Sequence, residues 1–582
     1  MKDSRIVKRI LLTQLPVYGL IFGLPTVNML FDSAIIGTCF GVETLAAMGF
    51  ATPLTLVVTA ITEVLFSGSQ VLCGKSLGRG DREGLNRVFN TALATCLCAG
   101  VVLTALFLCF PRTLALLLGA DDALIAQAAE YIRGFGIGIL FLIVSSCVMV
   151  FLLFEQRRKE AALITVLSMA VNLSGNILNA LVLHGGLFYA GLFVSLGNLL
   201  SAVLALACLL KRSKLFRLSA SDVNGKVCRE MNKVGSAGGL ETLWNAVRNC
   251  IVLQFAIRIG GTMGAAAVTI ALTIVTAVSC FEYDANVNIG LSLAGIFAGQ
   301  KDADALRRLA GSMTKINIVM YLAIYALLFF FARPLALLFG AEANQIALCV
   351  ASVRIIGLYF LAEIVIIPTR CIFLSLNRSL AINVIAFLSG VVFTVLVANP
   401  LAGLWGMNGV NSIVWVDYLL TVASFFVLYI VKRRRFPRRL SDLCDVPPTL
   451  NLTPEHCLSM TLETVEDAVA ASDRVVDFCK ARGYNDQKAF ACGLCIEEMA
   501  VDTIRNRFSR AESIVNLFLS YESGHFRFVL RDDCAYFDPG EWLELCQPAD
   551  YGRSIGIRLT YALANEVSYV SAFGLNILTI QL

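Results

Sequence analysis

The stretch LALLLGADD, Leu114–Asp122, returns 221 residues later as LALLFGAEA, Leu335–Ala343. The same spacing carries Gly80-Asp81 onto Lys301-Asp302, Arg133 onto Arg354 and Gly136 onto Gly357. Matches at one offset across several loops and apolar segments mark an internal repeat, not shared leucine content. A chain built as two related helical bundles with a path between them is the usual construction of a transporter.

Composition agrees. Of 582 residues, 57% are apolar and only 15% charged, and the mean hydropathy is +0.75. A soluble protein would carry about 25% charged residues. The fold class expected is a polytopic α-helical membrane protein with a C-terminal α/β sandwich domain. Apolar stretches near 20 residues, the length that crosses about 30 Å of hydrocarbon, fall at 13–36, 48–72, 89–110, 127–153, 161–183, 188–210, 240–259, 266–298, 313–331, 345–373, 380–399 and 410–431. They predict twelve spans as two six-helix repeats, 1–220 and 221–435, in a transporter region 1–435.

Basic residues fix an expected orientation. They cluster before the first span (Lys2, Arg5, Lys8, Arg9), in alternate loops, and after the last span as KRRRFPRR at 432–439, while the intervening loops are nearly free of them. The positive-inside bias then places both termini in the cytoplasm of a cell-membrane protein. The first apolar stretch is of span length and has no small-residue cleavage site, so no cleavable signal is expected. Residues 449–582 hold 11 Lys/Arg against 19 Asp/Glu, so an acidic tail follows a basic membrane part. The partner expected for that basic part is the lipid bilayer, not nucleic acid. Of the 19 cysteines, twelve lie in or beside the apolar segments and seven beyond them, without the spacing of a secreted scaffold. Cys492 and Cys495 have ordinary helix-core spacing, and three histidines (His184, His456, His525) argue against a histidine-based zinc site.

Asp32 is the first residue with chemistry to explain. It sits in the last turns of the first span in LPTVNMLFDSAIIG, with Asn28 one turn back on the same face and Gly23 and Pro25 loosening the same helix. A carboxylate at such depth costs at least about 2.5 kcal/mol unless a cavity or partner receives it. The simpler reading is an interfacial aspartate among headgroups. The functional one is an ionisable group on a deformable helix, where protonation becomes a bend.

With the repeat, the span count, D-x-x-x-x-G from Asp32 to Gly37, and GSQVLCGKSLGRGD at 68–81, residues 5–435 resemble the multidrug and toxin extrusion (MATE) family. The resemblance implies that Asp32 binds the proton or sodium ion that drives export. The family often has an aspartate where the fifth span here has Asn179, so this ion-coupling site would hold one carboxylate fewer and leaves the ion open. In the eighth span, FEYDANVNIG places Glu282, Asp284, Asn286 and Asn288 within seven residues. Polarity at membrane depth is tolerated only against water or protein. The set is read as a site for a cationic substrate or ion, the alternative being a helix end at the interface. Glu241, Glu363 and Asp417 are further candidates, or members of structural ion pairs.

After a basic, proline-rich linker at 436–455, the pattern changes. Residues 456–582 read as a strand, two helices (the first about 464–481), a hairpin from SIVNLFLSY and HFRFVLRDD, a helix and a final strand pair, with helices over one face of a mixed sheet. This order resembles the ATP-binding domain of the histidine-kinase/gyrase superfamily, in particular its anti-sigma-factor kinases. The resemblance implies nucleotide-binding roles for Glu498, Asp502, Asp532, Gly552 and Gly556, with Asp502 standing where an asparagine normally holds magnesium. Cys534 and Tyr536 replace the glycines expected in FVLRDDCAYFDP, Phe528–Pro539. ATP or ADP with magnesium is the only cofactor expected, bound weakly and without phosphoryl transfer.

The function expected is export of a cationic or amphiphilic small molecule in exchange for H⁺ or Na⁺, with a regulatory tail that meets a cytoplasmic protein. A lipid-linked precursor flippase is one alternative, but it should line its cavity with cations. A membrane-tethered serine kinase is the other, and the eroded nucleotide box opposes it.

Overall fold

The computed structural model describes residues 5–582 apart from 41–43, 45–46, 49–50, 118–121, 340, 342, 344, 449, 451–453, 509–512, 523 and 546–554. Part of each repeat stretch, and Gly552 of the expected nucleotide set, fall outside the described residues.

Among the described residues nine helices are long and apolar enough to cross a membrane. They become ten if Ile125–Gly136 and Ile139–Phe154, bent by 42° at their junction, count as one span. This is fewer than the twelve stretches in the sequence because two helical segments run through expected loops: Gly225–Gly299 over 75 residues and Ser379–Arg433 over 55. Each exceeds one crossing of about 20 residues. Each also contains a break. The backbone leaves helical geometry at Gly261 (φ 61°) and at Gly406 (φ 56°), a region that favours glycine. Beyond the second break the chain doubles back, since a Cβ added to Gly409 would meet the carbonyl oxygen of Leu401 at 1.8 Å.

The short loops show why the helices end where they do. Gly80, at φ 72°, closes the Thr52–Arg79 helix, and Asp81 then caps the Arg82–Cys109 helix by accepting from the Gly84 amide at 2.7 Å. In the second half Lys301 takes the left-handed position, and Asp302 caps Ala303–Leu338 through the Ala305 amide at 2.8 Å. The same device recurs at the repeat offset.

The linker is anchored. Asp445, almost wholly buried, accepts from Arg378 at 2.8 Å and Arg433 at 2.6 Å and also pairs with Lys432. Burial alone would push its carboxyl up, but Lys432, Arg433 and Arg378 outweigh it and hold the group below its ordinary value. A carboxylate held low stabilises the fold above its unfolded pKa and loses that contribution as pH falls through the folded one. The linker is therefore expected to stay docked near neutrality and to loosen only in acid below about pH 4. Protease sensitivity of residues 432–446 across pH is the check, and sensitivity already rising between pH 7 and 5 would contradict it.

The tail is a five-stranded sheet of β1 (Cys457–Leu462), β2 (Val515–Glu522), β3 (His525–Asp532), β4 (Glu566–Ala572) and β5 (Leu575–Gln581), in the order β1-β2-β3-β5-β4. All four pairings are antiparallel, not mixed, because each neighbouring pair reverses direction along the chain. Strand side chains alternate between faces. One face (Leu517, Leu519, Phe528, Leu530, Leu578, Ile580) joins the core formed with helices Val465–Lys480 and Asp486–Arg507. The other (Phe518, Val529, Val570, Ala572, Leu575, Ile577) is continuous with the hydrophobic core of the membrane bundle. The tail is thus seated on the bundle.

Candidate ion and substrate sites

Asp32 lies on the Arg5–Cys39 helix, and its carboxylate is buried. Two amides from Arg158–Leu178 close on it: Asn172 donates to Oδ2 at 2.9 Å and Asn176 to Oδ1 at 2.7 Å, and Asn176 also donates to the Asn172 oxygen at 2.8 Å. Sequence reasoning missed both. The signal was present, since Asn172, Asn176 and Asn179 recur at helical spacing. Asn179 itself does not join them. It donates to the Gly186 carbonyl at 3.0 Å and accepts from the Gly185 amide, so it closes the end of its own helix. Asn28 stays beside Asp32 in sequence, its side-chain oxygen buried without a hydrogen-bond partner among the described residues. Pro25 is built into the helix, but Gly23 has a further reason to be glycine: a Cβ there would meet the Phe281 ring at 2.5 Å.

The eighth-span set does not form one site. Glu282 is buried at the start of Tyr283–Gly299, with the Tyr321 hydroxyl and the Asn286 amide as its polar neighbours. Asn286, one turn on, donates to the Asn317 oxygen at 2.6 Å, and the buried hydroxyl of Tyr321 lies beside Glu282. Asp284 instead interacts electrostatically with Glu63 and Arg370. The Asn288 amide is spent on the Asp284 carbonyl at 2.6 Å.

Arg370 is the centre of that second group. It pairs with Glu241 at 2.9 Å and donates to the Tyr283 hydroxyl, which in turn donates to Glu241 at 3.1 Å. Glu63 of the Thr52–Arg79 helix stands close by, and Gly238 leaves the room: a Cβ there would meet Ser67 Oγ at 2.9 Å and the Arg370 guanidinium at 3.4 Å. Three carboxylates (Glu63, Glu241, Asp284) from three helices therefore share one arginine. Such a surplus of negative charge suits a cation. Asp417 is a structural pair member, bonded to Arg248 at 3.4 Å and Ser389 at 3.1 Å. Glu363 is fully enclosed, with one oxygen unpartnered among the described residues.

In the tail, the described residues of the expected nucleotide set lie near one another, and both aspartates are already engaged. Asp532 accepts from Asn576 at 2.7 Å and from the Cys534 amide at 2.9 Å. Burial pushes its carboxyl up, and those bonds offset this only in part. Asp502 accepts from Asn506 at 2.8 Å and pairs with Arg507, whose guanidinium lies 3.5 Å over the Phe537 ring and also feels Asp532. Gly556 packs against Glu498, where a Cβ would stand 2.2 Å from the carboxylate. Arg507, which sequence reasoning did not single out, thus sits between the two aspartates that were to read adenine and magnesium.

A helical membrane bundle with buried carboxylates facing the interior defines the class, and the comparisons define the family. The MatE model matches residues 20–178 and again residues 239–398, more than half of the chain. The chain belongs to the MatE family. It is 30% identical over 110 residues to the probable multidrug resistance protein YoeA of Bacillus subtilis (strain 168), a match covering 19% of this chain and 24% of that relative. Among solved structures it resembles MATE in complex with MaL6 (20% identity, TM-score 0.69, 76% of this chain and 98% of that one). It also resembles a MOP superfamily transporter from Pyrococcus furiosus Vc1 (20% identity, TM-score 0.68, 75% and 97%). At this identity the likeness speaks for the fold.

Proposed function

We propose that this chain exports a cationic or amphiphilic small molecule across a cell membrane, with both termini in the cytoplasm, in exchange for H⁺ or Na⁺. The reading takes twelve spans. Ending a span at Gly261 and another at Gly406 divides the two long helical segments and raises ten to twelve, and the twofold family match supports two repeats. The observation that carries the substrate class is the excess of carboxylates around Arg370. At Asp32 the proton is the coupling ion this arrangement favours: Asn172 and Asn176 present N–H groups, and a sodium ion would require both amides to turn their oxygens inward.

Transport in proteoliposomes under an imposed proton or sodium gradient is the test. Asp284→Asn is expected to weaken uptake of a cationic substrate about tenfold, since the amide keeps the shape and loses the charge. Glu282→Gln is expected to alter it less, because Glu282 faces Tyr321 and Asn286 instead of the shared cluster. Equal cation affinity in wild type and Asp284→Asn would overturn the substrate assignment.

For the tail we propose a regulatory domain of nucleotide-binding descent that binds ADP or ATP weakly and does not turn it over. Arg507 would have to leave for adenine and magnesium to reach Asp532 and Asp502. Arg507→Ala in the full-length protein is therefore expected to tighten nucleotide binding about tenfold, or about 1.4 kcal/mol, by calorimetry. No binding by either form would mean that the domain acts through protein contacts alone.

A further inference from the structure

The outer face of the tail sheet touches both halves of the bundle, and it does so at equivalent places. β3 carries Arg527 and Arg531 on one face, four residues apart, a separation of about 13 Å along a strand. Arg527 donates to the carbonyl of Gly78 at 2.5 Å, at the C-terminal end of the Thr52–Arg79 helix in the first half, where the helix dipole favours a cation. Arg531 pairs at 2.8 Å with Asp302, the fully buried cap residue that follows the Tyr283–Gly299 helix in the second half. Lys301 beside it pairs with Glu522. On the first-half side, Gln14 donates to the Phe573 carbonyl at 3.1 Å, Arg9 pairs with Asp533 at 2.6 Å, and the Phe573 ring lies 4.7 Å from that of Phe154.

Those two helices also meet each other directly above the sheet. Gly74 and Gly78 face Gly295 and Gly299, the same positions moved by the repeat offset. A Cβ on Gly78 would lie 2.1 Å from the Ile296 carbonyl oxygen, and one on Gly299 would lie 2.3 Å from that of Lys75. Small residues at i and i+4 let two backbones touch. The two halves are therefore shut against each other on the tail side, and the arginine pair of β3 spans the seam.

The docking is also incomplete in its hydrogen bonding. Nε of Arg527, and Nε and Nη2 of Arg531, are buried with no hydrogen-bond partner among the described residues. Buried donors without acceptors cost free energy that water restores on release.

We propose that the tail sheet is a releasable clasp that keeps the two halves of the membrane bundle closed on the tail side. Opening on that side requires β3 to give up Gly78 or Asp302. That the clasp regulates export rests on the transport reading above; that it holds the seam does not.

Hydrogen exchange read by mass spectrometry on the full-length protein in lipid nanodiscs tests the clasp without needing a substrate. The variants are Arg527→Met/Arg531→Met and, because the first strands the Asp302 carboxylate, Arg527→Met/Arg531→Met/Asp302→Asn. In both, exchange of amides 74–82 and 295–302 is expected to rise at least tenfold while β2 and β5 keep their protection. Asp32→Asn, with the arginines intact, should leave these segments protected. Unchanged exchange at 74–82 and 295–302 in both clasp variants would overturn the proposal, as would loss of protection throughout the tail without any change at the seam. In proteoliposomes the clasp variants should export at least twofold faster. Raised exchange with no transport by any form would sink the transport reading and leave the clasp standing, and raised exchange with export no faster than wild type would remove its regulatory role.

Discussion

Asp32→Asn is expected to abolish gradient-driven export, by a hundredfold or more, while the protein remains folded and inserted. The carboxylate is the ionisable group of the first half that is closed on by neutral donors, Asn172 and Asn176, and no cation is paired with it in the described structure. A proton arriving there removes the charge those amides solvate, so the pair must rearrange, and the first helix contains Pro25 seven residues before it. Proline lacks the hydrogen bond that would resist a bend at that point. Asparagine keeps the size and one acceptor but cannot take up or lose a proton, so the step has nothing to couple to. Folding should suffer little, because burying an amide costs less than burying a charge. Transport at equal protein level under an imposed proton gradient, with thermal unfolding as control, decides the matter. Wild-type rates would remove Asp32 from the mechanism.

Gly78→Leu should have the second large effect. The neighbour it would strike is the backbone carbonyl of Ile296, 2.1 Å from where a Cβ would stand, and a backbone cannot rotate aside as a side chain can. Overpacking of this kind costs about 1–3 kcal/mol, and here the cost falls on the closed form of one seam. The expected result is a folded protein that cannot seal on the tail side, with export reduced more than tenfold. Gly311→Ala is the control, because nothing lies within 4 Å of a Cβ at Gly311, and it should transport normally. Full transport by Gly78→Leu would show that the crossing is not a gate.

Much of this was legible in the residues. The apolar runs and the alternate basic loops specify a polytopic helical membrane protein, because a bilayer imposes length and charge bias on any segment that enters it. The alternation in LNILTIQL and HFRFVLRDD likewise specifies strands in the tail. Asp32 stands out because a lone carboxylate in an apolar run needs a reason.

What the tertiary structure decided are relations between residues far apart in the chain. Asn172 and Asn176 close on Asp32 across some 140 positions, whereas Asn179, the nearer match to the family pattern, is used up by its own helix end. Glu282 and Asp284 are two residues apart yet face different neighbours, since a helix turns about 200° over that step. The basic loops that the sequence assigns to lipid include Lys214 and Lys301, and here they meet Glu541 and Glu522 of the tail. The docked face left little trace in β2, where its positions are Asn516, Phe518 and Ser520, so alternation alone reads that face as open to solvent. One-dimensional pattern specifies what each segment must bury. Which partner buries it is settled only when the segments are packed together, and there the tail, the two halves and the buried charges meet.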